Sequence, residues 1–156
     1  MPGYGIQAPS EGTGLLPWSW ALERLRDSHE YWLASLAPSG HAHLMPIWAV
    51  LVDSRMWFSS SKASRKARNL IGNPSCSLAT DNPLEPVVVE GSAELVVDDP
   101  ILAAVLAEEN AKYHTHYGPE VLDPEVNSWF ALQFEHVFGL TSADFTGSPT
   151  KWSFTI

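Results

Sequence analysis

The chain has 156 residues, 45% of them apolar, with 18 acidic against nine basic side chains and a formal net charge of −9. That length suits one domain with a real core, and a charged fraction of 17% belongs to a globular rather than a disordered chain. The acidic balance excludes general nucleic-acid binding, which needs an extended basic footprint, and no apolar run is long enough to span a membrane.

In chain order, residues 1–17 are rich in Gly and Pro and are expected to form a flexible or loosely docked arm, with residues 18–156 as the single domain. Trp18 to Arg26 reads as a short amphipathic helix with Leu22 and Leu25 on one face. Tyr31 to Leu36 follows as a strand, ending in a turn at Pro38-Ser39-Gly40. Leu44 to Val52 is nearly all apolar and is expected as one buried strand, paired through the turn Asp53-Ser54 with Met56 to Ser59. Ser64 is placed to cap a helix that begins at Arg65 and stops at Gly72-Asn73-Pro74, where Gly or Asn takes a left-handed cap. Cys76 to Thr80 and Pro86 to Val97 read as strands, with Gly91 marking a bulge or a close backbone approach.

Asp99-Pro100 opens the longest helix, Ile101 to about Tyr117, with Leu102, Ala103, Val105 and Leu106 as its apolar stripe and Glu108 and Glu109 in solvent. A looser section from Gly118 to Glu125 leads to a strand over Trp129 to Phe138, and Lys151 to Phe154 is a last short strand. The fold class is therefore mainly β with helices, and hairpin spacing points to a small barrel with helical decoration. The single Cys76 reads as a strand core residue that cannot pair within the chain, and the N-terminus lacks a signal-peptide pattern. The expected compartment is the cytoplasm, with no membrane partner.

Chemistry concentrates in one place. Lys62, Arg65, Lys66 and Arg68 are four of the nine basic residues and fall within seven positions, among Ser59, Ser60, Ser61 and Ser64. Guanidinium, ammonium and hydroxyl donors beside a helix start are the groups that hold a phosphate. A solvated basic helix face is the competing reading, since charge runs are usually surface. No dinucleotide glycine motif, phosphate loop, nucleophile elbow or zinc helix is present. The pairs His41/His43 and His114/His116 invite a metal, but without Cys or carboxylate at ligand spacing none is expected. The seven tryptophans read mostly as core, with Trp48, Trp57 and Trp152 as candidate aromatic walls.

These residues carry a resemblance. Ser64-Arg65-Lys66 after an aromatic-ended strand, then Asn69-Leu70 and Asn73-Pro74, is similar to the pyridoxamine 5′-phosphate oxidase-like flavin-binding split barrels. Tyr31-Trp32-Leu33-Ala34-Ser35, Ser39 to His43, Pro46-Ile47-Trp48, Glu90-Gly91 and Thr150 to Phe154 resemble further family segments in the right order, from about residue 20 to the terminus. The likeness is greatest to actinobacterial members associated with the deazaflavin coenzyme F420.

The resemblance implies a six-stranded split β-barrel (an FMN-binding split barrel) that forms a homodimer, with cofactor sites at the interface and a small-molecule substrate. It implies that Ser64, Arg65 and Lys66 grip a cofactor phosphate, helped by Ser59 and Ser60. Pro46, Ile47, Trp48, Ala49 and Val50 would lie against the tricyclic ring, where backbone N–H groups can tune it. Lys62, Arg68, Lys151 and Trp152 are candidates for outer contacts. Three positions depart from the family pattern: Ala42, His41 and Lys151, the last keeping a charge but losing the bidentate fork of arginine.

The implied function is an oxidoreductase using reduced coenzyme F420 to deliver a hydride to an unsaturated small molecule. An FMN-dependent oxidoreductase of the pyridoxamine-phosphate oxidase kind and a non-catalytic flavin or deazaflavin binder stay open beside it. No catalytic side chain is legible, because in such an enzyme the cofactor supplies the reactive centre.

Overall fold

Trp48 and Ala49 interrupt the stretch that the sequence pattern presents as one strand from Leu44 to Val52. In the computed structural model, which describes residues 3–8 and 11–155, this stretch is two strands, β2 (Ala42–Ile47) and β3 (Val50–Val52). The other strands are β1 (Tyr31–Leu36), β4 (Arg55–Ser61), β5 (Ser75–Thr80), β6 (Val87–Val96), β7 (Asn127–Gly139) and β8 (Thr150–Ser153). The helices are α1 (Trp18–Asp27), α2 (Arg65–Gly72) and α3 (Ile101–Tyr113), with 3-10 turns at Pro119–Leu122 and Ser142–Asp144.

All eight strands form one sheet of antiparallel pairs, in the order β2-β1-β5-β6-β7-β4-β3 with β8 added to β7. Its two end strands, β2 and β3, are consecutive in the chain and joined only by Trp48 and Ala49. The sheet must therefore curl until its ends approach that corner, which produces the open seam of a split barrel. The expected fold class is what the structure shows. The strand count rises from six to eight: the corner divides one apolar run, and the short β8 is added beside β7.

The β6–β7 pairing holds the curl. Register shifts between Glu90 and Gly91, where Glu135 of β7 is left without a partner. A Cβ at Gly91 would lie 1.9 Å from the Gln133 carbonyl oxygen, so only glycine permits the approach.

Burial separates two clusters. Leu33, Ile47, Phe58, Leu78, Val89, Phe130 and Leu132 fill the concave side, closed by Ala21 and Leu25 of α1 and by Ala67 and Leu70 of α2. Leu102, Val105, Leu106 and Tyr113 of α3 cover Val50, Trp57, Trp129 and Ala131 on the other face. Cys76 is a buried free thiol, as the strand reading expects, with burial pushing its pKa up to about 12.

Four local expectations are corrected. Helix α2 does not end in a left-handed cap: Asn73 is extended (φ −149°), as the residue before Pro74 is biased to be. Helix α3 stops at Tyr113, four residues early, because His114 takes the left-handed conformation (φ 55°). Strand β2 is not buried: it is an edge strand with Leu44 and Met45 exposed, because none of the described residues packs on its outer face. In α3, Ala103 is exposed and Glu109 buried, so the stripe runs Leu102, Val105, Leu106, Glu109, Tyr113.

Residues of the N-terminal segment touch the loop after β7 and the start of β8: Gln7 N–H donates to Thr146 O (3.1 Å) and Leu16 N–H to Thr150 Oγ1 (2.9 Å). Among the described residues, no helix is long and apolar enough to cross a membrane.

Candidate functional site

The basic segment leaves the sheet at the end of β4 and turns into α2 through Ser61 to Ser64. Ser64 caps the helix as its sequence position requires, its Oγ accepting from Ala67 N–H (3.1 Å), while its carbonyl accepts from Arg68 N–H (3.2 Å). The first N–H groups of a helix have no partner within it, so those of Arg65 and Lys66 are left pointing out of its N-terminal end.

The Ser60 and Ser64 hydroxyls lie 2.8 Å apart and share one proton between their oxygens. Whichever donates, the other hydroxyl keeps its proton free to meet an anion.

The charges here are unfavourable for the helix by itself. Arg65, Lys66 and Arg68 sit in the first turn and just beyond, at the positive end of the helix dipole, with no acidic residue in that turn. Among the described residues none of the three has a carboxylate at ion-pair distance, whereas Lys62 pairs with Glu125 at 3.2 Å. An anion at this helix start would satisfy free N–H groups, a free hydroxyl and unpaired cations together.

Beside it lies a cavity of about 500 Å³, lined by Pro46, Ile47, Trp48, Ser59, Lys66, Asn127, Trp129, Glu30, Glu109, Tyr117 and Val121. That volume is within the range of roughly 300–1,000 Å³ that holds drug-sized ligands. Pro46, Ile47, Trp48, Ser59 and Lys66 are thus brought to one space from three elements. Ser60, Ser64 and Arg65 belong to the adjoining helix start.

Ala49 and Val50 stand behind the wall, fully buried. Ala49 cannot offer its backbone to a ligand: its N–H donates to Tyr113 Oη (2.9 Å), and its carbonyl accepts from Tyr113 Oη–H (3.0 Å) and Lys112 Nζ (2.9 Å). Trp48, by contrast, lies outside the strand ladders. Its indole stacks on the Tyr113 ring at 4.3 Å and 6°. Any backbone contact to a flat ligand falls to Ile47 and Trp48, since Pro46 has no N–H.

The remaining candidates lie elsewhere in the same chain. Lys151 lines a separate small cavity with Val88, Glu90, His136 and Phe138. Trp152 packs edge-on against Trp18 at 5.5 Å. Trp57 is core, its Nε1–H donating to Val52 O (3.1 Å), and the second aromatic wall is Trp129. His41, His114 and His116 are exposed, and among the described residues no three metal-ligating side chains cluster.

The contribution of α3 is the part sequence reasoning missed. Lys112 Nζ also donates to Tyr31 Oη (2.6 Å), whose own hydroxyl donates to Leu25 O (2.7 Å). Burial drives the Tyr31 phenol upward, raises Tyr113 to about 12 and lowers Lys112 to about 8, against the pull of Asp27, Glu108 and Asp81. Burial also raises Glu109. The signal available was the heptad-like stripe itself, which places Glu109 and Tyr113 in line with Leu102 and Leu106.

A family model for pyridoxamine 5′-phosphate oxidase matches residues 21–141. Solved structures share the fold at low identity. A conserved hypothetical protein of Mycobacterium tuberculosis is 21% identical with a TM-score of 0.69, the match covering 78% of this chain and 82% of that one. An F420 reductase is 22% identical with a TM-score of 0.61 (74% and 93% covered). The heme storage protein HutZ of Vibrio cholerae is 19% identical with a TM-score of 0.61 (78% and 90% covered). These likenesses are of fold alone. No curated protein matches the chain significantly.

Proposed function

The chain belongs to the pyridoxamine 5′-phosphate oxidase family, and from that membership and the anion cradle beside the cavity we propose that it is an oxidoreductase using reduced coenzyme F420. The observation that carries the reading is the set of three cations at the start of α2, without ion-pair partners among the described residues, of which Lys66 lines a cavity walled by Pro46 to Trp48. The residues present fit a flat ring with a phosphate tail. Arg65, Lys66, Ser60 and Ser64 would hold the phosphate, and Ile47, Trp48 and Trp129 would flank the ring.

When bound, the coenzyme supplies a hydride to an unsaturated small molecule. The chain's own contribution is to orient ring and substrate and to exclude water, with Trp48 fixed by its stack on Tyr113. FMN has the same ring plan and also a phosphate, so the cradle is compatible with it. The acidic tail of F420 asks for further cations, which Arg68 and Lys151 are assigned to meet.

A second copy of the chain completes this reading. Trp32, Ala34 and Leu36 of β1 face Pro46, Leu44 and Ala42 of β2 across the pair. Trp32, Leu36 and Leu44 are 46%, 41% and 56% exposed, a bare apolar sheet face ending at the cavity wall. We assign this face to a homodimer contact, through which Lys151 and Trp152 of one copy approach the site of the other. The buried free thiol of Cys76 suits a reducing compartment, and the proposal places the protein in the cytoplasm.

Turnover tests the proposal. Under anaerobic conditions the protein should oxidise reduced F420 in the presence of an electron-poor alkene or quinone. Binding of F420 without consumption by any acceptor would leave a carrier, and oxidation of substrate with FMN alone would move the chain to the flavin branch.

A further inference from the structure

Glu109 breaks the pattern of its own helix. It occupies a position of the buried stripe of α3 between Leu106 and Tyr113, is only 6% exposed, and yet lines the ligand cavity. A carboxyl on a core stripe violates the usual burial rule, and such violations gather at functional sites. No ion pair among the described residues involves it. Lys66, Glu30 and Tyr117 share the cavity and Tyr113 lies one turn along, but burial is the sole cause of its raised pKa. A carboxyl so placed holds its proton longer than one in water.

We propose that Glu109 is the acid that protonates the reduced product. This rests on the reductase reading given above. As hydride from the reduced deazaflavin reaches the β-carbon of an alkene conjugated to a carbonyl, a C–H bond forms and the alkene π pair moves toward the α-carbon and carbonyl oxygen. The Glu109 O–H bond then breaks, its proton forms the new C–H bond at the α-carbon, and the electron pair stays on the Glu109 carboxylate. The substrate gains one hydride and one proton, and Glu109 takes a proton back from solvent at the Tyr117 rim, where that side chain is 46% exposed.

The test has two arms. First, the protein carrying glutamate labelled with 13C at Cδ is titrated by NMR, with Glu109→Gln identifying the resonance. The inference expects Glu109 to titrate clearly above the other glutamates, and titration among them overturns it whatever the protein binds. Second, wild type, Glu109→Gln and Glu109→Asp are compared for F420 affinity and for single-turnover reduction of 2-cyclohexen-1-one. Glu109→Gln should bind F420 within a few-fold of wild type, yet reduce the enone about 10²–10⁴-fold more slowly, the usual contribution of general acid catalysis. Glu109→Asp should recover part of the rate. Equal rates in wild type and Glu109→Gln overturn the assignment while leaving the reductase intact. Loss of F420 binding by wild type would instead sink the reading on which it rests.

Discussion

The Tyr113 hydroxyl and the backbone of Ala49 hold each other from both sides: Ala49 N–H donates to Tyr113 Oη at 2.9 Å, and Tyr113 Oη–H donates back to Ala49 O at 3.0 Å. Ala49 sits at the corner where the sheet's two end strands meet in sequence, so helix α3 pins the seam of the barrel. It does so one residue from Trp48, whose ring lies on the same tyrosine.

Tyr113→Phe keeps the ring and its stack but leaves the Ala49 N–H buried without a partner. The expected cost is about 1–3 kcal/mol in urea unfolding, the usual penalty of an orphaned buried donor. Cofactor affinity should fall with it, because the corner that carries Trp48 loosens. Unchanged stability would show that the seam is held by strand pairing alone.

Lys112 gives this corner a pH response with a definite sign. Burial lowers its pKa from 10.5 to about 8, so between those values the unfolded chain binds the extra proton. Stability linked to this lysine therefore rises as pH increases from about 8 towards 10.5. The charged form bears a desolvation cost below that window. Lys112→Met should remove this contribution, read as the difference between the two proteins in urea unfolding between about pH 7.5 and about pH 9.5, in which the opposite effect of the buried Cys76 thiol cancels. Parallel pH profiles for the two proteins would contradict the placement of Lys112.

Leu44→Glu places a charge on the bare face of β2 without touching either core cluster. The expected result is a folded monomer by circular dichroism and sedimentation equilibrium, with weakened cofactor binding. A dimer of undiminished affinity would move the interface to another face.

Much of this architecture is visible in residues alone, and the exceptions have physical causes. Ser64 as N-cap, Gly91 as the close approach at a bulge, and the β1 limits Tyr31 to Leu36 follow from local chemistry that the structure keeps. The break at Trp48-Ala49 is not local. Both residues are apolar, and only the hydrogen bonds reaching from Tyr113 and Lys112, more than 60 positions away, make a corner there. Glu109 was hidden for a related reason: beside Glu108 it looks like half of a solvated pair, and helix phase alone separates them. The apolar content of β2 points to this chain's own core, whereas the fold leaves that face bare, because sequence polarity does not distinguish a core face from a face left for a partner. The cavity needs β2, β4, α2, α3 and β7 together, so no single segment announces it.

The central claim is that the start of α2 holds the phosphate of a flat cofactor lying in the cavity. It is tested most directly by fluorescence titration of F420, with FMN in parallel, into wild type and the Arg65→Ala/Lys66→Ala double variant. The account predicts tight F420 binding by wild type and a loss of roughly 3 kcal/mol or more in the variant, about a hundredfold in Kd at the least, because each charge-assisted bond contributes roughly 1.5–3 kcal/mol. Equal affinities for the two proteins, or binding of neither cofactor, would contradict it and reduce the basic cluster to a solvated helix face.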